Sequence, residues 1–305
     1  MSWRSVLISH PAKLSLSQGQ LVLQQTEKVT LPLEDIAIIV LEHPQIILTH
    51  QLLSACATQN VSLISTDPSF LPNGIFLPFQ PHSRALKQLK RQLNLSKVRQ
   101  KQIWQEIIQQ KILNQSQVLL QQNLQPQANQ LQKLAQKVKS GDKTHIEAYA
   151  AQIYFKALFG KPFKRRSDDL INAQLNFGYS IIRSAIARQL VAYGFIPALG
   201  IGHHNELNAF NLADDLIEPY RPIVDAQVVL LNTQAEENTL STADKAQLIS
   251  LLHQDTPRVQ KGEFQGKSTL LALIEASVIS LGQAMENSIP LTLPSLVENH
   301  HEQRE

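Results

Sequence analysis

Residues 78–105, PFQPHSRALKQLKRQLNLSKVRQKQIWQ, contain the change of pattern that decides the fold. The segment P-F-Q-P at its start predicts a stiff linker, because proline restricts the backbone and interrupts regular elements. Apolar residues then recur every three to four positions, which is the spacing of a helix that packs on one side. This change divides the chain near residue 80 into two regions of different secondary structure.

Before the linker, the chain has the pattern of β-strands. Short runs rich in branched residues, such as 36–40, alternate with turn formers, and the triplet P-N-G at 72–74 is a further turn signal. Residues 49–58 differ, because their apolar residues have helical spacing after Thr49, a residue type that caps helices. This region is predicted to be a sheet domain with one short helix laid against it.

After the linker, the period of the apolar residues predicts helices. They are expected at roughly 84–138, 144–159, 168–193, 212–230, 242–254 and 267–286. The residues from Ile289 onward contain two prolines, which predicts a frayed tail. The predicted fold is α+β and multidomain, with a β-rich domain at 1–80, a larger all-α domain at 81–288 and a flexible tail at 289–305.

Composition excludes several classes of protein. Of the 305 residues, 43% are hydrophobic and 17% are charged, which is typical of a globular chain and not of a disordered one. Cys56 is the single cysteine, which excludes an intramolecular disulfide and a multi-cysteine zinc site, and its apolar neighbours predict a buried thiol. No run approaches the roughly 20 apolar residues of a membrane span, and the start has no signal-peptide pattern. We therefore expect a soluble, cytoplasmic protein without a membrane partner.

The charges are unevenly distributed along the chain. The net charge is +3, but residues 84–105 contain seven cations and no acid. A solvated helix face is the commoner meaning of such a run, yet the lack of a balancing acid favours a helix that binds DNA phosphates. Its other side is expected to be buried through Leu86, Leu89, Leu93 and Val98. The DNA-binding candidates are Arg84, Lys87, Lys90 and Arg91 and, in a second basic cluster, Lys164, Arg165 and Arg166.

Residues 200–225, GIGHHNELNAFNLADDLIEPYRPIVD, place two histidines in a glycine-flanked loop before an acidic helix. Taken alone, the acids are those of a well-capped helix, because negative charge in a first turn complements the helix dipole. However, Asp214, Asp215 and Glu218 are close enough to repel one another unless cations lie among them. Arg221 can pair with one acid, and a divalent metal ion would pair with two more.

A metal site at this place would have a definite chemistry. Histidine and carboxylate ligands favour Mn²⁺, or Mg²⁺ with substrate oxygens in its shell, and the spacing of zinc enzymes is absent. His203 and His204 are adjacent and would point to opposite sides of an extended segment, so at most one of them is a ligand. Glu147 is a further candidate, although its spacing from Thr144 fits a capping box and, taken alone, favours capping.

Two other motifs are better explained as helix starts. The segment GEFQGKS at 262–268 resembles a phosphate-binding loop, but it is one residue short of the G-x4-G-K-S pattern and no convincing strand precedes it. Gly266 and Ser268 are expected to begin a helix instead. The pair Asp168 and Asp169 is likewise predicted to be a helix N-terminus and not a metal site.

The element DDLIEPYRPIVD at 214–225 resembles a motif of the CRISPR-associated spacer-acquisition integrases, the nuclease–integrase family of CRISPR adaptation. The resemblance is closest to the form found in type II systems, and it covers essentially the whole chain. It also includes WRSVLIS at 3–9, PLEDIAIIV at 32–40, IILTHQLLSAC at 46–56 and DDLINAQLNFGYSIIRSAIAR at 168–188.

The resemblance implies a metal site and its ligands. Glu147 matches the glutamate of the family, His203 its histidine and Glu218 its terminal acid, and these would hold Mg²⁺ or Mn²⁺. Asp215 matches an auxiliary acid that many members have. The spacing typical of the family selects His203 over His204.

The resemblance also implies architecture, partners and reaction. An N-terminal β-sandwich would form a homodimer, and two such dimers would flank a dimer of a small ferredoxin-like companion subunit in a heterohexamer. The complex would hold double-stranded prespacer DNA and join its 3′ ends to CRISPR repeat DNA by direct transesterification. Two alternatives stay open: a metal-dependent nuclease that does not join ends, and a non-catalytic DNA-binding scaffold.

Overall fold

The N-terminal region of the computed structural model contains two four-stranded sheets. The structure describes residues 4–79, 85–232, 239–287 and 289–296. The strands of the two sheets are β1 (Arg4–Ile8), β2 (Ala12–Ser17), β3 (Gln20–Gln24), β4 (Lys28–Pro32), β5 (Ile36–Leu41), β6 (Ile46–Leu48), β7 (Ser62–Thr66) and β8 (Pro72–Phe76). One sheet has the order β1-β5-β7-β8 and the other the order β4-β3-β2-β6. The β1–β5, β5–β7 and β2–β6 pairs are parallel, and the other pairs are antiparallel.

Apolar side chains from both sheets share one core with the helix α1 (His50–Thr58). Its buried members include Ile8, Leu14, Leu21, Ile39, Leu52, Cys56 and Leu63. The cap predicted for α1 is confirmed, because the Thr49 hydroxyl accepts a hydrogen bond from the backbone N–H of Leu52 at 3.4 Å. The buried thiol is confirmed as well. Burial raises the pKa of Cys56 to about 11, so this thiol is unreactive at neutral pH.

The triplet P-N-G at 72–74 lies within β8, so the turn predicted there is wrong. Gly74 pairs with Ser65 of β7, and a Cβ atom at Gly74 would lie 2.5 Å from the Ser65 hydroxyl oxygen. The glycine therefore permits two strands to approach closely instead of reversing the chain.

Helices form most of the described chain after residue 85. In chain order they are α2 (Ala85–Leu93), α3 (Lys97–Gln121), α4 (Gln125–Lys137), α5 (Ile146–Phe159), α6 (Leu170–Ala192), α7 (Asn211–Ile217), α8 (Arg221–Asn232), α9 (Thr242–Ser250) and α10 (Leu270–Asn287). The pattern predicted over 84–138 is divided into three helices. The Ser96 hydroxyl caps α3, and Asn123, with φ of 58°, lies at the break before α4. Within the described residues, no helix has the length and apolar character that a membrane span needs.

A third sheet shows that the all-α prediction for the second domain is wrong. It contains β9 (Asp255–Gln260), β10 (Glu263–Thr269) and β11 (Thr292–Pro294), in the order β10-β9-β11 and with antiparallel pairing. Lys261 and Gly262 connect β9 to β10 with φ angles of 55° and 77°, the left-handed backbone that a tight hairpin needs. The sequence pattern hides this sheet, because its strands contain few branched residues and include two prolines and a glycine.

This sheet shows that three further predictions are wrong. Gly266 and Ser268 lie within β10, and the following helix begins at Leu270. A strand does precede the segment that resembles a phosphate-binding loop, but the segment itself is a hairpin turn and a strand, so it is no such loop. The tail is not frayed at 291–294, since Leu291 and Leu293 are buried and β11 pairs with β9. Residues 297–305 lie outside the described part of the chain.

A buried ion pair joins the N-terminal sheets to the helical region. Glu42 follows β5, and its Oε1 lies 2.5 Å from Nζ of Lys245 on α9. Both side chains are at most 5% exposed, and Nζ of Lys245 also lies 3.9 Å from the centroid of the Phe70 ring. A second link comes from Arg188 of α6, whose Nε donates to the carbonyl of Asn60 at 2.6 Å. These contacts fix α6 and α9 against the N-terminal region.

Replacing Lys245 tests the strength of this link. Lys245→Met would leave the Glu42 carboxylate buried without its cation, so we expect the free energy of unfolding to fall by about 3–5 kcal/mol. Urea denaturation is the measurement. Lys133→Met, at an exposed lysine of α4, is the matched control, and its free energy of unfolding should stay within about 0.5 kcal/mol of that of the parent. Equal midpoints for the two variants would show that the pair contributes nothing.

Candidate active site

The loop at 200–208 is organised by the carboxylate of Asp215 on α7, which is fully buried. Its Oδ2 accepts a hydrogen bond from the backbone N–H of Ile201. Its Oδ1 accepts from the backbone N–H of Gly202 at 3.1 Å and of His203 at 2.8 Å. Both oxygens are therefore used by the loop. The residue predicted as an auxiliary acid acts here as a positioning residue for the histidine loop.

The ring of His203 has a defined orientation. Its Nδ1 lies 2.8 Å from Oδ1 of Asp215, and a carboxylate can only accept, so Nδ1 carries the proton and Nε2 is the nitrogen left for a ligand. The ring of Trp104 on α3 meets the imidazole edge to face, with centroids 5.6 Å apart. A Cβ atom at Gly202 would lie 2.5 Å from this indole. The hydrogen bond to Asp215 raises the pKa of His203 above its ordinary 6.5, although partial burial opposes the rise.

Glu218 begins a short 3-10 turn, Glu218–Tyr220, between α7 and α8. The proline that follows it ends α7 there, and the Glu218 side chain is only 6% exposed. Its Oε1 accepts from Nε of Arg221 at 3.0 Å, and its Oε2 lies 2.5 Å from Nζ of Lys111 on α3. Burial alone would raise the pKa of Glu218, but Arg221 and Lys111 outweigh burial and lower it to about 2. The carboxylate is thus ionised at any ordinary pH.

Glu147 lies in the first turn of α5 and does not form the capping box that its spacing allows. Asp142 caps this helix instead, because its carboxylate accepts from the backbone N–H groups of Ile146 and Glu147, both at 3.0 Å. The Glu147 side chain is paired with Lys111 instead, because its Oε1 accepts a hydrogen bond from Nζ of Lys111 at 2.5 Å. The capping alternative is therefore wrong for Glu147.

The other acids of this region have their own partners. Asp214 pairs with Arg183 of α6, with 2.5 Å between Oδ1 and Nε. Asp225 of α8 is buried between two tyrosines, since it accepts from the hydroxyl of Tyr154 at 2.9 Å and from that of Tyr179. Burial raises the pKa of Asp225 to about 6. Neither of these two acids needs a metal ion as a partner.

The candidate ligands fit a divalent ion in chemistry. Two carboxylates and an imidazole are ligand types that Mg²⁺ and Mn²⁺ accept. Among the described residues, no three His, Cys, Asp or Glu side chains are gathered closely enough to hold a metal ion. The carboxylates of Glu147 and Glu218 nevertheless converge on one point, which the ammonium of Lys111 occupies. Oε2 of Glu218 lies 2.5 Å from this ammonium, which therefore stands where a cation held by both acids would lie.

Comparison with known proteins decides the family. Residues 6–258 match the family described as "CRISPR associated protein Cas1". The chain is also 44% identical over 300 residues to the CRISPR-associated endonuclease Cas1 of Neisseria meningitidis serogroup C (strain 8013), an alignment that covers 97% of each chain. The chain belongs to the Cas1 family. A Cas1 endonuclease of Francisella tularensis subsp. novicida (strain U112) is 34% identical over 143 residues, 42% of this chain and 45% of that one.

Solved structures share the Cas1 fold of this chain. A casposase bound to its integration product has a TM-score of 0.73 at 20% identity, covering 93% of this chain and 90% of that chain. A Cas1 protein from Thermotoga maritima also has a TM-score of 0.73, at 17% identity, covering 97% and 100%. A chain of a Cas6-RT-Cas1–Cas2 complex has a TM-score of 0.69 at 19% identity, covering 94% of this chain and 35% of that chain.

Some of the predicted DNA-binding cations of this Cas1 chain are exposed, and others are paired with side chains of the protein itself. Lys87, Lys90, Lys164 and Arg166 are exposed. Arg91 instead pairs with Glu286 of α10, with 2.5 Å between Nε and Oε1. Arg165 donates to Asn172 and Asn176 of α6. Arg84 lies outside the described residues.

The apolar side of α2 does not pack as predicted. Leu86 and Leu93 are exposed, as is Val98 in α3, and Leu89 is half-buried. Gln88 is buried in their place, because it shares the inward face of α2 with Arg91 and accepts from its NH1 at 3.0 Å. Polar contacts with the rest of the protein thus hold this helix.

Lys111 and Trp104 of the Cas1 site were missed at the sequence level. Both are on α3, far in sequence from the acidic segment that they contact. A signal for Lys111 was present, because it shares the apolar helix face of Ile107, Ile108 and Ile112, all fully buried. A lysine on such a face needs a negative partner.

The loop geometry predicts the effect of Asp215→Asn. The amide lacks the charge that stabilises the imidazolium, so we expect the pKa of His203 to fall below that of the parent. NMR titration of the metal-free protein is the measurement. In the parent, the raised pKa means that the His203–Asp215 contact adds stability below pH 6.5, and this is lost as the pH rises through the folded pKa.

The same variant is expected to unfold more easily. Weakening hydrogen bonds to a buried charged acceptor costs about 3 kcal/mol. The control is Asp255→Asn, at an exposed aspartate of β9, which should change neither the pKa of His203 nor the free energy of unfolding. An unaltered His203 titration in a folded Asp215→Asn protein would refute this role of Asp215.

Proposed function

We propose that this Cas1-family chain is a metal-dependent DNA endonuclease and integrase that inserts prespacer DNA into a CRISPR array. The observation that carries the proposal is the convergence of two carboxylates, Glu147 and Glu218, on one buried point within 2.5 Å of each. His203 lies near enough for the Glu218 charge to contribute to its raised pKa. The activity named for the Neisseria relative and the integration product held by the casposase support this function.

Glu147, His203 and Glu218 would hold the ion, Mg²⁺ or Mn²⁺. When bound, such an ion neutralises charge that develops on a phosphate and orients an oxygen of the reacting bond. The chain prepares two of these ligands. Glu218 is kept ionised by its two cations, and Asp215 holds the proton of His203 on Nδ1, so that Nε2 is available.

The reaction needs no nucleophile from the protein. In direct transesterification a DNA 3′-hydroxyl attacks a phosphodiester, one P–O bond forms, and another breaks to release a second 3′-hydroxyl. Cys56, the single cysteine of the sequence, is buried and remains a thiol, so it cannot take the nucleophile's place. The DNA itself supplies both reacting oxygens.

The assembly belongs to the same proposal. The two N-terminal sheets, which share one core, would form the β-sandwich through which two chains dimerise in the cytoplasm. Two dimers would bind a dimer of the small companion subunit, and the Cas1–Cas2 complex among the solved structures supports such a partner. Exposed cations would bind the phosphates of prespacer and repeat DNA: Lys87, Lys90, Lys164 and Arg166.

Strand transfer by histidine variants tests the metal site. We expect His203→Ala to slow joining of a 3′-hydroxyl DNA end to repeat DNA by at least about a hundredfold, since even outer-shell changes cost roughly 10–100-fold. His204→Ala is the matched control and should remain within a few-fold of the parent, because the His204 ring forms its hydrogen bond with Gln100 and not with a candidate ligand. Glu147→Gln and Glu218→Gln should behave like His203→Ala.

The assay also separates the alternatives. A metal-dependent nuclease that does not integrate would release cleaved DNA without joined product, and a scaffold would show no difference between Glu218→Gln and the parent. A defect in His204→Ala with an intact His203→Ala would mean that the wrong ring is assigned to the metal.

Salt dependence tests the phosphate contacts. In Lys87→Ala/Lys90→Ala, the slope of log affinity against log salt concentration should flatten by up to roughly two units, because each lost contact with duplex DNA removes about 0.9. Fluorescence anisotropy at several salt concentrations is the measurement. Lys133→Ala/Lys137→Ala removes the same charge from exposed positions of α4 and is the control. An unchanged slope would assign the α2 lysines to a solvated face.

A further inference from the structure

We propose that Lys111 is a resident counter-ion of the metal site, which holds Glu147 and Glu218 together in the metal-free chain and competes with the divalent ion for them. The inference rests on the proposed function, since it takes these two carboxylates as ligands. It assigns a positioning role to a residue outside the ligand set.

The contacts of Lys111 are those of a cation at a metal position. Its Nζ lies 2.5 Å from Oε1 of Glu147 and 2.5 Å from Oε2 of Glu218, two oxygens from parts of the chain 71 positions apart (218 − 147). Among the described residues, Lys111 is the one that forms ion pairs with both acids. Arg221 reaches only Oε1 of Glu218, and its guanidinium lies over the ring of Tyr179 at 4.6 Å.

The surroundings of Lys111 explain why its ammonium stays there. The side chain is 9% exposed, and Ile107, Ile108 and Ile112 beside it on α3 are fully buried. A charge in such surroundings is stable only beside opposite charge. Conversely, Glu218, at 6% exposure, would repel Glu147 if no cation lay between them.

The charge balance implies competition. The formal charges of Glu147, Glu218, Lys111 and Arg221 sum to zero, so the cluster is neutral without a metal ion. A divalent ion on the same oxygens would leave a net charge of +2 and would meet the ammonium at close range in a site of low dielectric. The lysine stem has several rotatable bonds, so its head can withdraw when the ion enters. Lys111 thus preserves the spacing of the ligands and raises the metal concentration at which they are occupied.

Mn²⁺ binding to Lys111→Met tests the inference without an activity assay. Trp3→Phe leaves Trp104 as the sole tryptophan, with its ring 5.6 Å from that of His203, so quenching by paramagnetic Mn²⁺ reports occupancy of the site. In this background we expect the half-saturating Mn²⁺ concentration of Lys111→Met to be lower than that of the parent by about tenfold or more, because a like charge is removed from the site. Without metal, the variant should melt at a lower temperature than the parent.

Controls separate this inference from the metal site itself. Lys133→Met loses one exposed charge and should bind Mn²⁺ as the parent does, and Lys111→Arg, which keeps the charge, should not bind more tightly. If Lys111→Met does not fold, Lys111→Gln replaces it with the same expected gain. Unchanged or weaker Mn²⁺ binding by a folded, charge-free variant would overturn the inference alone. Absence of Glu218-dependent quenching in the parent would overturn the metal site and the inference with it.

Discussion

The buried carboxylate of Asp215 fixes the part of the molecule on which the candidate chemistry depends. It accepts hydrogen bonds from three successive backbone amides and from one imidazole, so residues 201–203 of the histidine loop are held against α7. Asn211, one turn earlier on α7, secures the far side of the loop by donating to the carbonyls of Asn205 and Asn208. A polar segment without regular structure thus gains the rigidity that a ligand residue needs.

The helix α3 supplies the common frame for the rest of the site. Along it, Gln100 donates to the carbonyl of Ile201, Trp104 abuts Gly202, and Lys111 lies between the two glutamates. One turn further, Asn114 donates to the carbonyls of Pro219 and Pro294 at 2.8 and 3.0 Å. Contacts spaced by three to seven residues on one helix therefore align the loop, the acids and β11.

What the sequence predicts well is local. The strands β1, β2, β3, β5, β6 and β7, the cap of α1 and the N-terminus of α6 at Asp169 follow from short patterns, and the structure confirms them. The β9–β11 sheet could not be predicted, because its strands have weak strand propensity and β11 pairs with a strand more than 30 positions earlier in the chain. The same holds for Lys111, whose partners are brought to it only by tertiary packing. For Asp215, the segment indicated the residue but not its role, since an acid beside a histidine fits both a metal ligand and a hydrogen-bond acceptor.

The contact between Gly202 and the Trp104 indole has a consequence for how this site can change during evolution. Any side chain at 202 would have to enter space that the indole fills, and a smaller residue at 104 would leave a gap beside the imidazole. Neither position can vary freely while the other stays as it is. The two are 98 positions apart (202 − 104) but form one mutational unit, in which acceptable substitutions come in pairs.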